Sequence, residues 1–590
     1  MKHISVLIFF FLLTCSVAIS QEKGLPVGFA PFEEELMETY NANLSLLKSG
    51  ITAPPTSPVR SMAEWEEIQS LVITWTSYPA VLREIVRHAK EQCEVIIVCS
   101  NENSVRNYLA NYGIDDNNVT FLEEPYNSVW VRDYGQNSIY INDVDTLALV
   151  DWIYNRPRPL DDVVPEAIAN LKGIPLYTTT VAPNDLVHTG GNYMSDGQGT
   201  AFSSELVLEE NGPNGGFNVT VKDEAMIDQI MFDYMGITRY PKMETLPYDG
   251  IHHIDMHMKL LDEETLLVGE YPPGVADGPQ IEANIQYILS NFNSVFGTPY
   301  EVIRIQMPPD ADGHYPDWGG GGWNAGDYRT YTNMVFVNEL VLVPVYEQQY
   351  DDPAIQIIQD ALPGYDVQGI DCNDIITALG AIHCITKSVG VNDPLLIVHQ
   401  PLGDTNSSND YEVNATIKHK DGIASATIYS RLNNGFFTTV PMTLTDPVED
   451  IWTGFIPGQT EGNIQYYIHA TATTGKEQVR PIVAPDGYWD FDVSQLTNIE
   501  TPIIGELTME AVYPNPASAI TAIPVNSHKE FEGTIELVDV LGRNIANIHN
   551  GLIPEGESTY FINAANYPAG TYFIRLMTAF GSQTQKLIIR

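Results

Sequence analysis

The side chains able to do chemistry stand in four short islands. One is "GAIHCITK" at 380–387, which holds Cys384 in a chain with only five cysteines. A thiol gains reactivity from a nearby base or cation, and catalytic cysteines find their bases in space rather than in sequence. His383 is adjacent, but on a strand it would point to the opposite face, so His253 is the favoured partner. A second island, "GIHHIDMHMKLLD", spaces His253, Asp255 and His257 by two. On a strand they would share one face. Two histidines and a carboxylate can hold a transition metal, or an imidazole beside a carboxylate can form an acid/base pair. The other islands are "EPYNSVWVRDYGQNS", with Trp130, Arg132 and Asp133, and "HTGGNYMSDGQG", with Gly190, Gly191 and Asn192. Each alone is weak, since a lone cysteine is more often inert core and a polar strand face is often merely structural.

The elements that must position these groups are mixed. "AVLREIVRHAKEQ" (80–92) has the spacing of an amphipathic helix and leads into the strand-like "CEVIIVC". "YTNMVFVNELVLVPVY" (331–346) predicts two strands joined by an Asn-Glu turn, and "DPAIQIIQDALPGY" (352–365) a helix begun by Asp352 with Pro353 in its first turn. This alternation indicates an α/β domain over residues 21–391. No internal repeat is visible. The glycine-rich "DWGGGGWNAGDYRTYTN" (317–333) lacks the Gly-Lys-Ser/Thr of a phosphate loop and reads as a turning loop at the rim of a site. From 392 to 500, β-rich runs broken by Asp-Gly and Asn-Asn-Gly predict an immunoglobulin-like or fibronectin-like β-sandwich. Residues 505–590 again alternate as short strands.

The ends and the charge bear on location. Lys2 and His3 precede an apolar run and then small residues, the pattern of a signal peptide over residues 1–20. No later run is apolar enough for a membrane span. Removal of that peptide takes Cys15 away. Cys93 and Cys99 flank one strand and stand roughly 20 Å apart, too far to bridge. With 76 Asp+Glu against 29 Lys+Arg, the formal charge of −47 repels nucleic acid and attracts cations, including cationic peptides and amines. So acidic a chain leaves room for structural calcium, although no EF-hand loop is present.

Two resemblances organise these readings. Tyr513-Pro514-Asn515-Pro516, Val540-Leu541-Gly542-Arg543, Ala569-Gly570-Thr571-Tyr572 and the basic end Lys586 to Arg590 resemble a type IX (Por) secretion C-terminal sorting domain. That implies the type IX machinery as a partner, and a secreted or outer-membrane surface-attached product. "WVRDYG", "GGNYMSDG", "HIDMHMKLL", "YTN" and "GAIHCIT", in this order, resemble the Porphyromonas-type peptidylarginine deiminases and the agmatine deiminases of the guanidine-modifying superfamily. The resemblance implies a five-bladed α/β propeller with its site on the central axis. It implies Cys384 as nucleophile, His253 as acid/base, Asp133 and Asp255 as carboxylates gripping the guanidinium, Asn333 at the site and Trp130 as a wall of the slot. In the peptidylarginine branch, an arginine pair matching Arg156 and Arg158 grips the α-carboxylate of a C-terminal arginine; the plain alternative is a surface loop paired to Asp161 and Asp162. No cofactor or metal is required by this chemistry, which leaves His257 without a catalytic task. Substrates are then arginine-containing peptides or, alternatively, agmatine or free arginine. A metal hydrolase and a catalytically dead binding protein are the competing classes.

Overall fold

The run Val95-Ile96-Ile97-Val98 is apolar without alternation, as a strand covered on both faces requires, and all four residues are fully buried. It lies in Glu94–Cys99, between the parallel strands Ile68–Thr74 and Val119–Glu123. The computed structural model describes residues 24–47, 49–316, 326–494, 507–539, 542–578 and 581–590. The expected signal peptide with Cys15, and the central part of the glycine-rich loop (317–325), lie outside the described residues. The four other cysteines are buried free thiols.

The described residues of 59–390 form five separate sheets. Each contains an antiparallel hairpin, then a helix, then a strand returning parallel to the hairpin's second strand. In one, Met258–Leu260 pairs antiparallel with Thr265–Glu270, helix Gly278–Asn291 follows, and Glu301–Gln306 returns in parallel. Val335–Val337, Leu340–Val345, helix Gln348–Ala361 and Asp366–Asp371 repeat the plan. So do Asn137–Ile141, Thr146–Asp151, helix Val164–Lys172 and Leu176–Thr178, and Met194–Ser195, Ala201–Ser204, helix Glu224–Met235 and Lys242–Met243. The fifth sheet joins the two ends of the domain: Lys387–Gly390 pairs with Ile68–Thr74, and helix Pro79–Ala89 leads to Glu94–Cys99. An internal repeat is therefore present that the sequence does not display.

Two local expectations shift. The Asn-Glu turn forms as read, with Asn338 left-handed at φ 55°. The helix expected from Asp352 starts a turn earlier, after Glu347, so Pro353 lies inside it. Asp351 fixes that first turn by accepting from the Tyr346 amide at 2.9 Å and from the Tyr331 hydroxyl at 2.9 Å.

The chain divides into two compact units, one of residues 1–402, 411–456 and 465–490, the other of 403–410, 457–464 and 491–590. Beyond the five sheets, the first holds antiparallel pairs such as Tyr411–Lys418 with Ile451–Ile456 and Ile423–Leu432 with Thr438–Pro441. Tyr411–Lys418 alternates buried and outward residues, as a sheet with one covered face does. In the second unit, Ile520–Ser527 pairs with Leu507–Met509 and Gly556–Asn563, and Phe531–Asp539 with Asn544–Ile553 and Gly570–Thr578. Its core includes Ile523, Val525, Leu537, Ile574 and Leu587. No helix among the described residues is long and apolar enough to cross a membrane.

Candidate active site

The chemical islands occupy one equivalent place in the five sheets: the short segment entering the first hairpin strand. These segments are helix Val131–Tyr134, the 3-10 turns Gly190–Asn192, Ile254–Met256 and His383–Ile385, and the loop 330–333. His253 caps its turn at one end and His257 at the other. The strand expected for His253, Asp255 and His257 is thus a helical turn, and the shared-face argument does not apply. The same holds for His383, which the turn brings into the site instead of away from it.

Cys384 is fully buried. Its Sγ lies 3.2 Å from Asn333 Nδ2 and 3.6 Å from Asp255 Oδ2. Asn333 Oδ1 accepts from the His383 amide at 3.0 Å, so one side chain fixes both the turn and the thiol. Asp255 Oδ2 also accepts from His383 Nδ1 at 2.7 Å. Across the site, Asp133 Oδ1 accepts from the Gly191 amide at 3.2 Å and stands 3.5 Å from His253 Nδ1. Gly191 marks where the groups converge. A β-carbon there would lie 2.5 Å from His253 Nδ1, 2.9 Å from Asp133 Oδ1 and 3.2 Å from Asp255 Oδ2. Asp133 Oδ2, Asp255 Oδ1 and both ring nitrogens of His253 are buried with no hydrogen-bond partner among the described residues. Converging unpartnered acceptors of this kind match the fork of N–H donors on a planar guanidinium.

The electrostatics set the resting state. Burial pushes the Cys384 thiol well above its ordinary pKa, and Asp255 and Asp133 push it further. Burial draws His253 down, against the pull of Asp133 and Asp255. The site therefore rests as thiol and neutral imidazole. Burial works against the Asp255 carboxylate, but the His383 hydrogen bond and charge outweigh it and hold its pKa below the usual range. Glu64 is likewise held well below its usual range: burial opposes ionisation, and His383, Lys259 and Arg132 prevail. His257 is buried and drawn down to about 4 by desolvation, and neither ring nitrogen has a partner among the described residues.

Trp130 is fully buried, donates from Nε1 to the Leu25 carbonyl at 2.7 Å, and lies against Gly380, where a β-carbon would meet its ring at 2.5 Å. The two arginines part company. Arg158 is spent on the chain itself: Nε and Nη2 reach Glu33 at 2.7 and 3.0 Å, and Nη2 also donates to the carbonyls of Pro26 and Gly28. Its partner is Glu33, not Asp161 or Asp162. Asp161 instead accepts from the Asn127 and Ser128 amides, and Asp162 from the Tyr40 hydroxyl. Arg156, 5% exposed, donates to the carbonyls of Val27 and Asn155 and stacks on Phe29 at 4.7 Å. No carboxylate lies within 4 Å of it among the described residues, and its charge reaches His253. Sequence reasoning missed Glu64 and gave Gly191 and His383 no task. The cue for His383 was its adjacency to Cys384; nothing in "SMAEWEE" marks Glu64.

The sequence profile of the Porphyromonas-type peptidyl-arginine deiminases matches residues 60–389, all five sheets and every group above but the arm around Glu33. The chain belongs to that family. A secretion-system C-terminal sorting domain matches 511–590. The deiminase is 24% identical over 298 residues to a putative agmatine deiminase of Vibrio parahaemolyticus, covering 46% of this chain and 78% of the relative. It is 23% identical over 297 residues to another from Mycoplasma capricolum, at 46% and 77%. A solved structure of a putative agmatine deiminase superposes with TM-score 0.51 at 19% identity, over 58% of this chain and all of that one, which establishes the fold. The deiminase is thus a hydrolase of amidine carbon–nitrogen bonds, and its sorting domain marks it for export.

Proposed function

We propose that the deiminase hydrolyses the guanidinium of arginine in peptides, preferably at the C-terminus, to citrulline and ammonia. The observation that carries this is Arg156, a buried cation that makes no ion pair within 4 Å among the described residues; its charge reaches His253 and, beyond that distance, Glu210, whose carboxyl burial pushes up to about 7. A buried charge without a partner is costly, and a substrate carboxylate would supply one. Agmatine has no carboxylate to offer. Arg158, held by Glu33, is assigned to positioning rather than to substrate.

In this reading Asp133 and Asp255 grip the guanidinium, with Trp130 behind the slot. The incoming cation favours the thiolate, and His253 takes the Sγ proton as sulfur bonds to the central carbon. His253 returns that proton to the leaving nitrogen, the carbon–nitrogen bond breaks, and ammonia departs. Water then attacks the thiouronium with His253 as base, and the carbon–sulfur bond breaks to regenerate the thiol and release the ureido group. Asn333 steadies the sulfur throughout. The five repeated units, with Lys387–Gly390 pairing back to Ile68–Thr74, support a five-bladed propeller as the frame. The antiparallel strands after 392 support an Ig-like sandwich, and the sorting domain supports a secreted or surface-attached enzyme.

Mass spectrometry of arginine-ending and arginine-internal peptides, with agmatine alongside, tests the reading. C-terminal arginine is expected to be converted fastest, Arg156→Ala to lose that preference, and Cys384→Ala to be inactive. Faster turnover of agmatine would favour the alternative, an agmatine or free-arginine deiminase; full activity in Cys384→Ala would end the mechanism.

A further inference from the structure

Asp255 must present one oxygen to the guanidine, and something must stop the carboxylate from turning. Behind it stands a bridge of three side chains. His383 Nδ1 donates to Asp255 Oδ2 at 2.7 Å, and its Nε2 lies 2.7 Å from Glu64 Oε1. Glu64 is fixed in turn by Arg132 Nη1 at 3.0 Å and by Lys259 Nζ. Arg132 Nε also holds the His383 carbonyl at 3.1 Å. Glu64 and Arg132 line a pocket with Asn137, Tyr193 and Lys387, so this end of the bridge borders open space while Asp255 is fully buried.

We propose that His383 and Glu64 are positioning residues of the deiminase: Glu64 sets the plane of the His383 ring, and the ring's Nδ1–H spends Asp255 Oδ2 so that Oδ1 alone faces the guanidine. This rests on the deimination reading above. It accounts for Oδ1 being buried without a partner while Oδ2 serves both His383 and the Cys384 sulfur. The charged and titratable groups around Asp255 are His383 and Cys384 from one turn, Arg132 and Asp133 from helix Val131–Tyr134, His253 and His257 from its own turn, Asp249 from the segment before that turn, and Lys259 from the following strand. Of these, only His383 is within hydrogen-bond distance of it apart from the sulfur.

Two near-isosteric variants separate positioning from mere packing. In His383→Asn the amide nitrogen replaces Nδ1 and keeps the donor to Asp255. In His383→Gln it replaces Nε2, keeping the Glu64 end and losing the donor. His383→Asn is expected to stay within about tenfold of wild-type kcat/KM, and His383→Gln to lose about 100-fold, with the acidic limb of its pH profile moved upward as Asp255 loses its donor. Equal losses in the two variants, or an unmoved acidic limb in His383→Gln, would overturn the proposal. If His383→Gln does not fold, Glu64 carries the test: Glu64→Ala frees the ring plane and is expected to lose about 100-fold in kcat/KM, Glu64→Gln keeps an acceptor for Nε2 and is expected within about tenfold of wild type, and equal losses in the two, or an undiminished Glu64→Ala, refute the proposal. Wild-type turnover of a guanidine tests the underlying reading separately, since this proposal is read only from ratios between variants.

Discussion

A single methyl group added at Gly191 probes the geometry most directly. Its position is set by three functional atoms: 2.5 Å to His253 Nδ1, 2.9 Å to Asp133 Oδ1 and 3.2 Å to Asp255 Oδ2. Gly191 does not adopt a left-handed backbone, so Gly191→Ala carries no main-chain penalty, and its effect is confined to these contacts. An ordinary contact of about 3.4 Å asks His253 to retreat by about 0.9 Å and Asp133 by about 0.5 Å, in surroundings packed too closely to absorb it. Displacements near 1 Å in a reacting constellation cost about 100-fold, or about 2.7 kcal/mol of transition-state stabilisation. The added carbon is expected to cost about 1–3 kcal/mol of stability as well, because overpacking strains a buried site. Steady-state ammonia release, with thermal melting on the same samples, measures both. Gly191→Ala is expected to fold and to lose about two orders of magnitude in kcat/KM on every guanidine. A folded variant within threefold of wild type would mean that His253, Asp133 and Asp255 do not act from these positions.

Three further outcomes follow from the same geometry. Arg158→Ala leaves Glu33 buried without its cation, and urea unfolding is expected to register about 3–5 kcal/mol of destabilisation; a surface-like change below about 0.5 kcal/mol would contradict the ion pair. His257, drawn down to about 4, stays neutral in the fold while the unfolded chain takes up a proton below about 6.5, so its contribution is present above pH 6.5 and lost as the pH falls toward 4. Wild type is expected to lose about 3 kcal/mol more than His257→Leu across that window, and parallel stability curves would refute the assignment. Turnover is expected to survive prolonged EDTA treatment, since the proposed steps call only on side chains and water; chelator-sensitive activity restored by added metal would return His253, Asp255 and His257 to the metal reading.

What the sequence makes legible here follows from the range of the interactions involved. The helix Pro79–Ala89 and the strand Glu94–Cys99 are written in local periodicity and form where that periodicity puts them. The repeat is written in topology. Its site segments fall at Asp133, Gly191, Asp255, Asn333 and Cys384, separated by 58, 64, 78 and 51 residues, because the loops between the common elements differ in length. No fixed period survives in such a chain, although every unit places its chemical segment before its first hairpin strand. A strand template fits His253-Asp255-His257 and the Cys384 segment only because period-two spacing was read as extended backbone. Both are helical turns, in which neighbours such as His383 and Cys384 can face one site. Glu64 was illegible for a different reason: its partners His383 and Lys259 stand 319 and 195 residues away. Arg158 was legible as a fork for a carboxylate, and the fork is used; only the owner of that carboxylate, Glu33 of the same chain, lay beyond what local chemistry could tell. In the proposed reading, groups that await the substrate keep buried acceptors unpaired, as Asp133 and Asp255 do, or make no close ion pair, as Arg156 does, whereas Arg158 is saturated by the chain and contributes to the position of the others. That distinction, rather than residue type or spacing, is what the proposal uses to separate Arg156 from Arg158 in "NRPRP".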